Sequence, residues 1–235
     1  DKGVIDNSYS MGNVSVVGTA LRIGGLVGDN NGNIYNSYSI VNVSGNSSVG
    51  GLVGRSTKVG STSGFILNSY SCGNVDGRNL TGGLIGSADA TTNTNYTYSA
   101  GVVKGGTFVG GLVGQSLIGG SGSSYYNFSF WDFEIAGGIY NDTGDLGNIS
   151  GIYANTTAQM KKQATYTALG WDFTNIWRIA EDYSYPYLKW QSTPACGIPV
   201  PPTITLTGGS GSNPNIEILS IGFNVNPNEM NIVLK

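Results

Sequence analysis

Four copies of one glycine-rich phrase constrain this chain more than any other feature in it. Gly24-Gly25-Leu26-Val27-Gly28 returns at 50–54, at 82–86 with Ile85 in place of valine, and at 110–114, at intervals of 26, 32 and 28 residues. A second phrase keeps step with it: Asn7-Ser8-Tyr9-Ser10, then 36–39, 68–71 and the looser Tyr96-Thr97-Tyr98-Ser99. A third phrase follows each of these: Gly12-Asn13-Val14, Val41-Asn42-Val43, Gly73-Asn74-Val75 and Gly101-Val102-Val103. Self-similarity at a period of roughly 20–50 residues marks a stacked repeat architecture. A lone Gly-rich motif would invite a phosphate-loop reading, but such a loop occurs once, between a strand and a helix, with Lys and Ser/Thr following. None of the four copies is followed by that pair.

Length and composition narrow the field. At 235 residues there is room for one or two domains. Charged residues make up only 11%, yet the chain carries 14 Tyr, 7 Phe and 4 Trp, enough aromatic surface to order it, unlike a disordered chain. The 11 Lys and Arg are scattered and the net charge is −3, so there is no basic stripe and nucleic-acid binding is not expected. No apolar run approaches the ~18 residues of a membrane span, and no signal peptide is visible at Asp1. Low charge, few lysines and two cysteines suit a secreted or surface protein.

Within residues 1–125 each repeat reads as three short strands. One leads into the Tyr-Ser phrase (Val4-Ile5, Ile34-Tyr35, Phe65-Ile66-Leu67), one is the Asn-Val phrase, and one is the Leu-Val of GGLVG. Gly and Asn clusters, such as Asp29-Asn30-Asn31-Gly32 and 60–64, break between them because both residues tolerate positive φ. Strands this short with turns this frequent predict a parallel β-solenoid, an all-β fold in which each repeat is one coil and like strands stack about 4.8 Å apart. Leu26, Leu52, Leu84 and Leu112 then form an interior ladder. Val27, Val53, Ile85 and Val113 lie on the opposite face of the same strand, unless a bend turns both inward. Tyr9, Tyr38, Tyr70 and Tyr98 form an aromatic ladder, and Asn7, Asn36 and Asn68 a hydrogen-bonded one.

Residues 126–192 read as a last coil and an aromatic-rich cap over the open end of the stack. They carry one short helix, N-capped by Thr156 or Thr157 and running over 158–164. Residues 193–202 read as a Pro-rich linker. Residues 203–235 contain three strand-like runs, 203–207, 216–225 and 230–234, too few residues to bury a core alone. This tail docks on the solenoid, begins another β domain, or pairs with a second molecule.

The GGLVG core with its NSYS and GNV phrases resembles the GLUG repeat, which occurs in large cell-surface and secreted proteins of bacteria and archaea, adhesin-like proteins and some IgA-specific metalloproteases among them. The resemblance covers residues 3–115. The stretch from Asn127-Phe128-Ser129-Phe130-Trp131-Asp132 through Thr157-Ala158-Gln159-Met160-Lys161, Gly170-Trp171-Asp172-Phe173 and Trp177-Arg178-Ile179 to Tyr185-Pro186-Tyr187-Leu188 resembles the segment that closes such arrays. The resemblance implies a surface module and supplies no catalytic residue. The metalloproteases need a His-Glu-x-x-His zinc motif, and this chain has no histidine.

Candidate sites are each weighed against a plainer role. Glycosylation sequons stand at Asn13, Asn42, Asn46, Asn79, Asn95, Asn127, Asn141, Asn148 and Asn155, though an Asn/Ser/Thr-rich chain yields sequons by chance. Cys72 and Cys196 lack metal-site spacing. Cys72 falls where other repeats carry Met11, Ile40 and Ala100, so it is either a buried small side chain or half of a disulfide pinning the linker to the third coil. The turns Asp29–Asn33 and Asp142–Asn148 offer oxygen ligands of the kind calcium takes, but match no calcium motif and read first as turn chemistry. Trp171, Trp177, Tyr185, Tyr187 and Trp190 read first as a hydrophobic cap and second as a sugar-stacking platform. Asp132, Glu134, Asp172, Glu181 and Asp182 show no spacing that singles out a glycosidase pair, so no enzyme activity and no cofactor are expected.

Two functions follow from different classes. One is an extracellular structural protein, the subunit of a cell-surface filament, layer or sheath, self-associating through solenoid ends and strand exchange by its tail. The other is an adhesin stalk or binding module meeting cell-surface glycans or proteins.

Overall fold

A computed structural model describes residues 3–57, 64–89, 92–117, 125–139 and 141–197, together with 221–223 and 230–232. The chain divides into two units, Asp1–Val200 and Pro201–Lys235. The first is a right-through stack of parallel coils, a β-solenoid of four full turns and a partial fifth.

Three faces make up each coil. The first is the five-stranded sheet of Val4–Asp6, Asn33–Tyr35, Phe65–Leu67, Asn93–Asn95 and Tyr125–Asn127. The second begins at the Tyr-Ser phrase and runs to the paired glycines, and in coil two it is one strand, Tyr38–Gly50. The third is Val27–Asn30, Val53–Ser56, Ile85–Ala88 and Val113–Ser116. Every rung is in register with the next, for example Val27 with Val53, Val53 with Ile85 and Ile85 with Val113. The Tyr-Ser phrase thus opens the second strand, and the leucine of GGLVG lies outside any strand, at the corner between the second and third faces.

That corner explains the motif. Leu26 N–H donates to Leu52 O (2.9 Å), Leu52 to Leu84 (3.0 Å) and Leu84 to Leu112 (2.9 Å). The bend turns both residues of each Leu-Val pair inward, so Leu52, Val53, Leu84, Ile85, Leu112 and Val113 are all fully buried in one core with Ile34 and Ile66. In the third copy, a Cβ on Gly82 would lie 2.0 Å from Ile85 O, and one on Gly83 would lie 2.2 Å from Gly111 O and 2.7 Å from Ser99 Oγ. The last glycine, Gly86, would bring its Cβ 2.3 Å from the carbonyl carbon of Ser48 in the coil before. All three glycines therefore exist because backbone passes where a Cβ would sit.

The second face bends sharply, and the bend falls on residues that give no sequence warning. Arg22, Ser48, Leu80 and Phe108 all hold positive φ (66°, 51°, 50° and 54°) at the same place in successive coils. The Asn7, Asn36 and Asn68 positions also have positive φ, and the ladder continues through Tyr96 and Phe128. Asn68 Nδ2 donates to Asn36 Oδ1 (3.3 Å), while Asn36 Nδ2 donates to Asp6 Oδ1 (2.9 Å). A second asparagine ladder runs through the Asn-Val phrase: Asn42 Nδ2 donates to Asn13 Oδ1 (3.1 Å), and the Asn74 N–H to Asn42 Oδ1 (3.0 Å).

The cap differs from the sequence expectation in two ways. First, the single helix expected over 158–164 is two, Thr157–Met160 and Gln163–Thr167. Thr156 caps the first in a reciprocal box with Gln159. The pair breaks at Lys161-Lys162, where Lys162 is extended (φ −112°, ψ 124°), and the Gln163 N–H that opens the second helix donates to Glu181. Second, the aromatic segment does not cover the end of the stack. That end is closed by Trp131, Phe133, Ala136, Ile139, Ile149 and Ile152, which pack on the solenoid core, and by the strand Ile152–Asn155 added beside Ser129–Asp132. The aromatic residues after 157 form a strap along the flank instead.

The expected linker boundary at 193 also moves. Residues up to 197 belong to the body, since Gly197 bridges to Ser184 and Cys196 is buried against the strap. The expected linker from 198 to 202 and the strand 203–207 lie outside the described residues. Of the tail, Ile221–Phe223 and Met230–Ile232 form an antiparallel pair with Ile221 opposite Ile232.

Candidate functional site

The strap and the tyrosine ladder form the most elaborate surface of the molecule. Tyr9, Tyr38, Tyr70 and Tyr98 stack ring on ring at 5.2, 5.0 and 4.7 Å, with their planes nearly parallel. Such pairs contribute about 1 kcal/mol each beyond their burial. Phe130 continues the ladder in the fifth coil, opposite Tyr98. The strap crosses these rungs in reverse order. Tyr166 and Trp171 meet Phe130 at 4.8 and 5.7 Å. Trp177 sits 6.3 Å from Tyr98 and 6.1 Å from Tyr70. Tyr98 donates its hydroxyl to Pro186 O (2.6 Å), Tyr70 donates to Gln191 Oε1 (2.8 Å), and Trp190 reaches Tyr38 and Tyr9. Burial raises the Tyr70, Tyr98 and Tyr166 phenols well above the usual tyrosine range.

This geometry separates the five aromatics singled out by sequence. Trp171 and Trp177 are buried, as is Tyr185, and Tyr187 is half-buried in the antiparallel pair with Arg178. Trp171, Trp177 and Tyr185 present no ring face for a ligand to stack on; their packing is core packing. Trp190 is different. It is 40% exposed, while the other three tryptophans are at most 3% exposed. Its Nε1–H donates to Asn36 O (3.0 Å), which fixes the ring. Beside it opens a cleft of about 360 Å3, lined by Asn7, Asn36, Asn175, Lys189 and Trp190 with Ile176 and Leu188 as its apolar part.

The acidic candidates are scattered, and each holds backbone, a phenol or a lysine. Asp132 is buried; its Oδ1 accepts from the N–H groups of Glu134 and Ile135, and its Oδ2 from Tyr185 (2.7 Å). Glu134 accepts from Thr157 N–H (2.9 Å). Asp172 caps the turn at Thr174 and Asn175, and the Asn175 side-chain bond, foremost among its hydrogen bonds, holds its carboxyl below the usual range. Glu181 serves Gln163, and Asp182 pairs with Lys162.

The two turns with calcium-like composition do other work. Asp29 pairs with Arg22 (2.8 Å) and Arg55 (3.3 Å). Asp142 is the corner of the fifth coil: its carbonyl accepts from Leu112 and Val113 N–H (3.1 and 3.0 Å), as Leu112 O does for the coil before. Its buried carboxylate accepts from Trp131 Nε1 (2.8 Å) and from Ile149 N–H (3.0 Å). Burial still raises its pKa above the ordinary aspartate value, against the pull of those two donors. Trp131 takes the place of Ser99 and its ring sits 2.1 Å from where a Gly111 Cβ would be, filling the core where the repeat ends. Among the described residues, no group of three or more His, Cys, Asp or Glu is arranged to hold a metal.

Cys72 and Cys196 are joined as a disulfide, Cα to Cα 6.0 Å, which ties the end of the strap to the third coil. Of the sequons, Asn13, Asn42, Asn141 and Asn148 are exposed and Asn46, Asn79, Asn95, Asn127 and Asn155 are half-buried. Two of them use the amide nitrogen that a glycan would take: Asn42 donates to Asn13, and Asn127 to Asn95 (3.0 Å).

The coil geometry defines the chain as a parallel β-solenoid. A solved structure shares that fold: the crystal structure of a "putative immunoglobulin A1 protease" from Bacteroides ovatus, 24% identical, with a TM-score of 0.57 over 80% of this chain and 58% of that one. In sequence, a "Putative Gly-rich membrane protein" of Evansella cellulosilytica is 34% identical over 186 residues. The match takes in 78% of this chain and 13% of that protein's length. No family model matches the chain. Among the described residues no helix is long and apolar enough to cross a membrane.

Proposed function

We propose that this chain is an extracellular structural module of a GLUG-type cell-surface protein, a stiff solenoid segment that holds other parts of a surface assembly apart and in register. The observation that carries this reading is the strap. A plain solenoid couples each coil only to its neighbours, whereas here one covalently tied segment touches every rung from Phe130 back to Tyr9. Such bracing suits a load-bearing or spacing role, and the named carboxylates all serve that scaffold. The disulfide fits an oxidising, extracellular setting, and the relative's description as a Gly-rich membrane protein fits a surface one.

Assembly in this reading is polar. The fifth coil is plugged, while the outer edge of the first coil (Val4–Asp6, Tyr9–Ser15 and Leu21–Gly24) can accept a further coil, from the same polypeptide or from an identical subunit. Antibody raised against the folded chain should decorate intact cells of the source organism, and electron micrographs of native surface material should show the label on filaments, layers or stalks. Label that appears only after cells are opened would overturn the reading. An adhesive role stands as the second reading, favoured by the exposed, fixed ring of Trp190.

A further inference from the structure

We infer that the cleft beside Trp190 is a binding site for a neutral pyranose unit of a polysaccharide. The inference deepens the surface reading, since it presumes a chain displayed where such polymers are met.

Three features point to this ligand class. The first is the ring. Trp190 is the exposed tryptophan of the four, and its indole packs at a tilt on Tyr38 and Tyr9 (5.6 and 6.3 Å between centroids) and is bonded at its edge to Asn36 O. A ring that is already fixed loses little conformational freedom on binding. Its electron-rich face meets the electropositive axial C–H bonds of a pyranose. The same contacts that tie Trp190 to the first coils hold its exposed part in one place.

The second feature is the polar rim. Asn175 binds Asp172 through its Nδ2, and Asn7 turns its Nδ2 towards Asp6, so the two side-chain carbonyls remain as acceptors with no donor among the described residues. Lys189 Nζ donates to Thr174 O and keeps further protons to offer. Paired acceptors and a donor around one aromatic face match the alternating hydroxyls of a sugar edge. A cleft of about 360 Å3 falls within the range of small-ligand sites.

The third feature selects neutral over acidic sugars. The one cation in the cleft, Lys189, is already bonded to backbone and lies in the field of Asp172. A uronate would meet that one ammonium only alongside the Asp172 carboxylate, whose negative charge opposes a second anion.

The test is tryptophan fluorescence of the full, oxidised chain titrated with neutral hexasaccharides (gluco-, manno- and xylo-oligosaccharides) and, in parallel, with oligogalacturonate. Three tryptophans are buried, so a saturable change reports Trp190. The expected result is saturation with at least one neutral oligosaccharide at millimolar concentration or below, at least tenfold weaker with oligogalacturonate. Trp190→Ala should abolish it, and Asn175→Ala should weaken it several-fold with Trp190 still in place. Trp190→Ala is to be compared at an unchanged melting transition; should it not fold, the Asn175→Ala series decides alone. Tighter binding of oligogalacturonate, no saturation with any neutral sugar, or saturation untouched by either variant would each overturn the inference. None of these outcomes bears on whether the folded chain labels the cell surface, so the two proposals fail separately.

Discussion

Replacing Gly83 by alanine puts the corner argument to a direct test. The added Cβ would lie 2.2 Å from Gly111 O and 2.7 Å from Ser99 Oγ. The serine can yield by rotation, but the carbonyl belongs to the next coil and cannot. Ordinary contact requires the third and fourth coils to part by about 1 Å at this corner, a gap that forfeits much of the local packing. Three rung bonds lie across it: Gly83 N–H to Gly110 O (3.4 Å), Leu84 to Leu112 O (2.9 Å) and Ile85 to Leu112 O (3.1 Å). At about 1 kcal/mol each, with about 1–3 kcal/mol for overpacking, the loss is about 4–6 kcal/mol. Domains of this kind hold about 5–15 kcal/mol in all. With an m-value of about 2 kcal/mol/M, the urea midpoint should fall by about 2–3 M. Gly3→Ala is the control, because nothing lies within 4 Å of its Cβ and its φ is not positive; it should shift the midpoint negligibly. Adding Ser99→Gly to Gly83→Ala should recover less than half of the loss, because the carbonyl contact remains. Equal midpoints for Gly83→Ala and Gly3→Ala would refute the account of why the motif carries paired glycines.

Other outcomes follow from the same structure. Burial raises the phenols of Tyr70, Tyr98 and Tyr166, so the folded state keeps their protons longer than the unfolded chain does. Stability should be unaffected by them below about pH 10 and fall above it by about 1.4 kcal/mol per pH unit for each, roughly 4 for the three; tyrosinate absorbance rising smoothly while β-sheet dichroism persists would contradict this. Reducing Cys72–Cys196, 124 residues apart, should destabilise the chain by up to about 5 kcal/mol in the chain-entropy model, read as a lower melting temperature with dithiothreitol and with Cys196→Ser alike. In a glycosylating host, peptide mapping should find Asn13 occupied and Asn127 bare, because Asn127 Nδ2 is donated to Asn95; it should not find Asn13 and Asn42 occupied on one molecule, since they are register partners about 4.8 Å apart. Thr156→Ala should cost about 1 kcal/mol through loss of the capping box, measured by chemical denaturation.

Which parts of this fold could be read from sequence follows from sterics. The corner glycines were legible because only one residue type fits there, so the constraint repeats in the letters. The left-handed bend at Arg22, Ser48, Leu80 and Phe108 was not, because its cause lies elsewhere: the backbone of the next coil's motif glycine, as with Gly86 against Ser48, packs on it and holds it. The fifth corner was hidden by a change of chemistry. Asp142 stands where Leu112 stood, and the Asp/Gly/Asn composition reads there as an ordinary turn rather than a coil corner. Spacing held the missing signal, since Gly144 follows Gly114 by 30 residues, within the repeat's own interval. At the candidate site, the aromatic residues of the strap were visible as a group, but no pattern in them says which surface they cover. Only rung-by-rung contacts distinguish the buried Trp171 and Trp177 from the exposed Trp190.

The strap also changes what kind of solenoid this is. In a stack held only by neighbouring coils, end coils fray independently and coil number drifts easily between relatives. Here the five ladder rungs span about 19 Å at about 4.8 Å per step, and the strap contacts them from the fifth back to the first. The first coil cannot detach without uncovering Trp190, and the third cannot detach without straining the chain held at Cys196. Loss of any coil therefore exposes apolar surface on the strap as well as on its neighbours. Unfolding should proceed as one transition in the oxidised chain, with urea curves from fluorescence and from far-ultraviolet dichroism coinciding. Removing strap contacts at one end, by Trp190→Ala together with Gln191→Ala, should separate the two curves, with the first two coils releasing before the rest. Coincident curves in that variant would mean that the coils alone supply the cooperativity, and that the strap serves only to cover the tyrosine ladder.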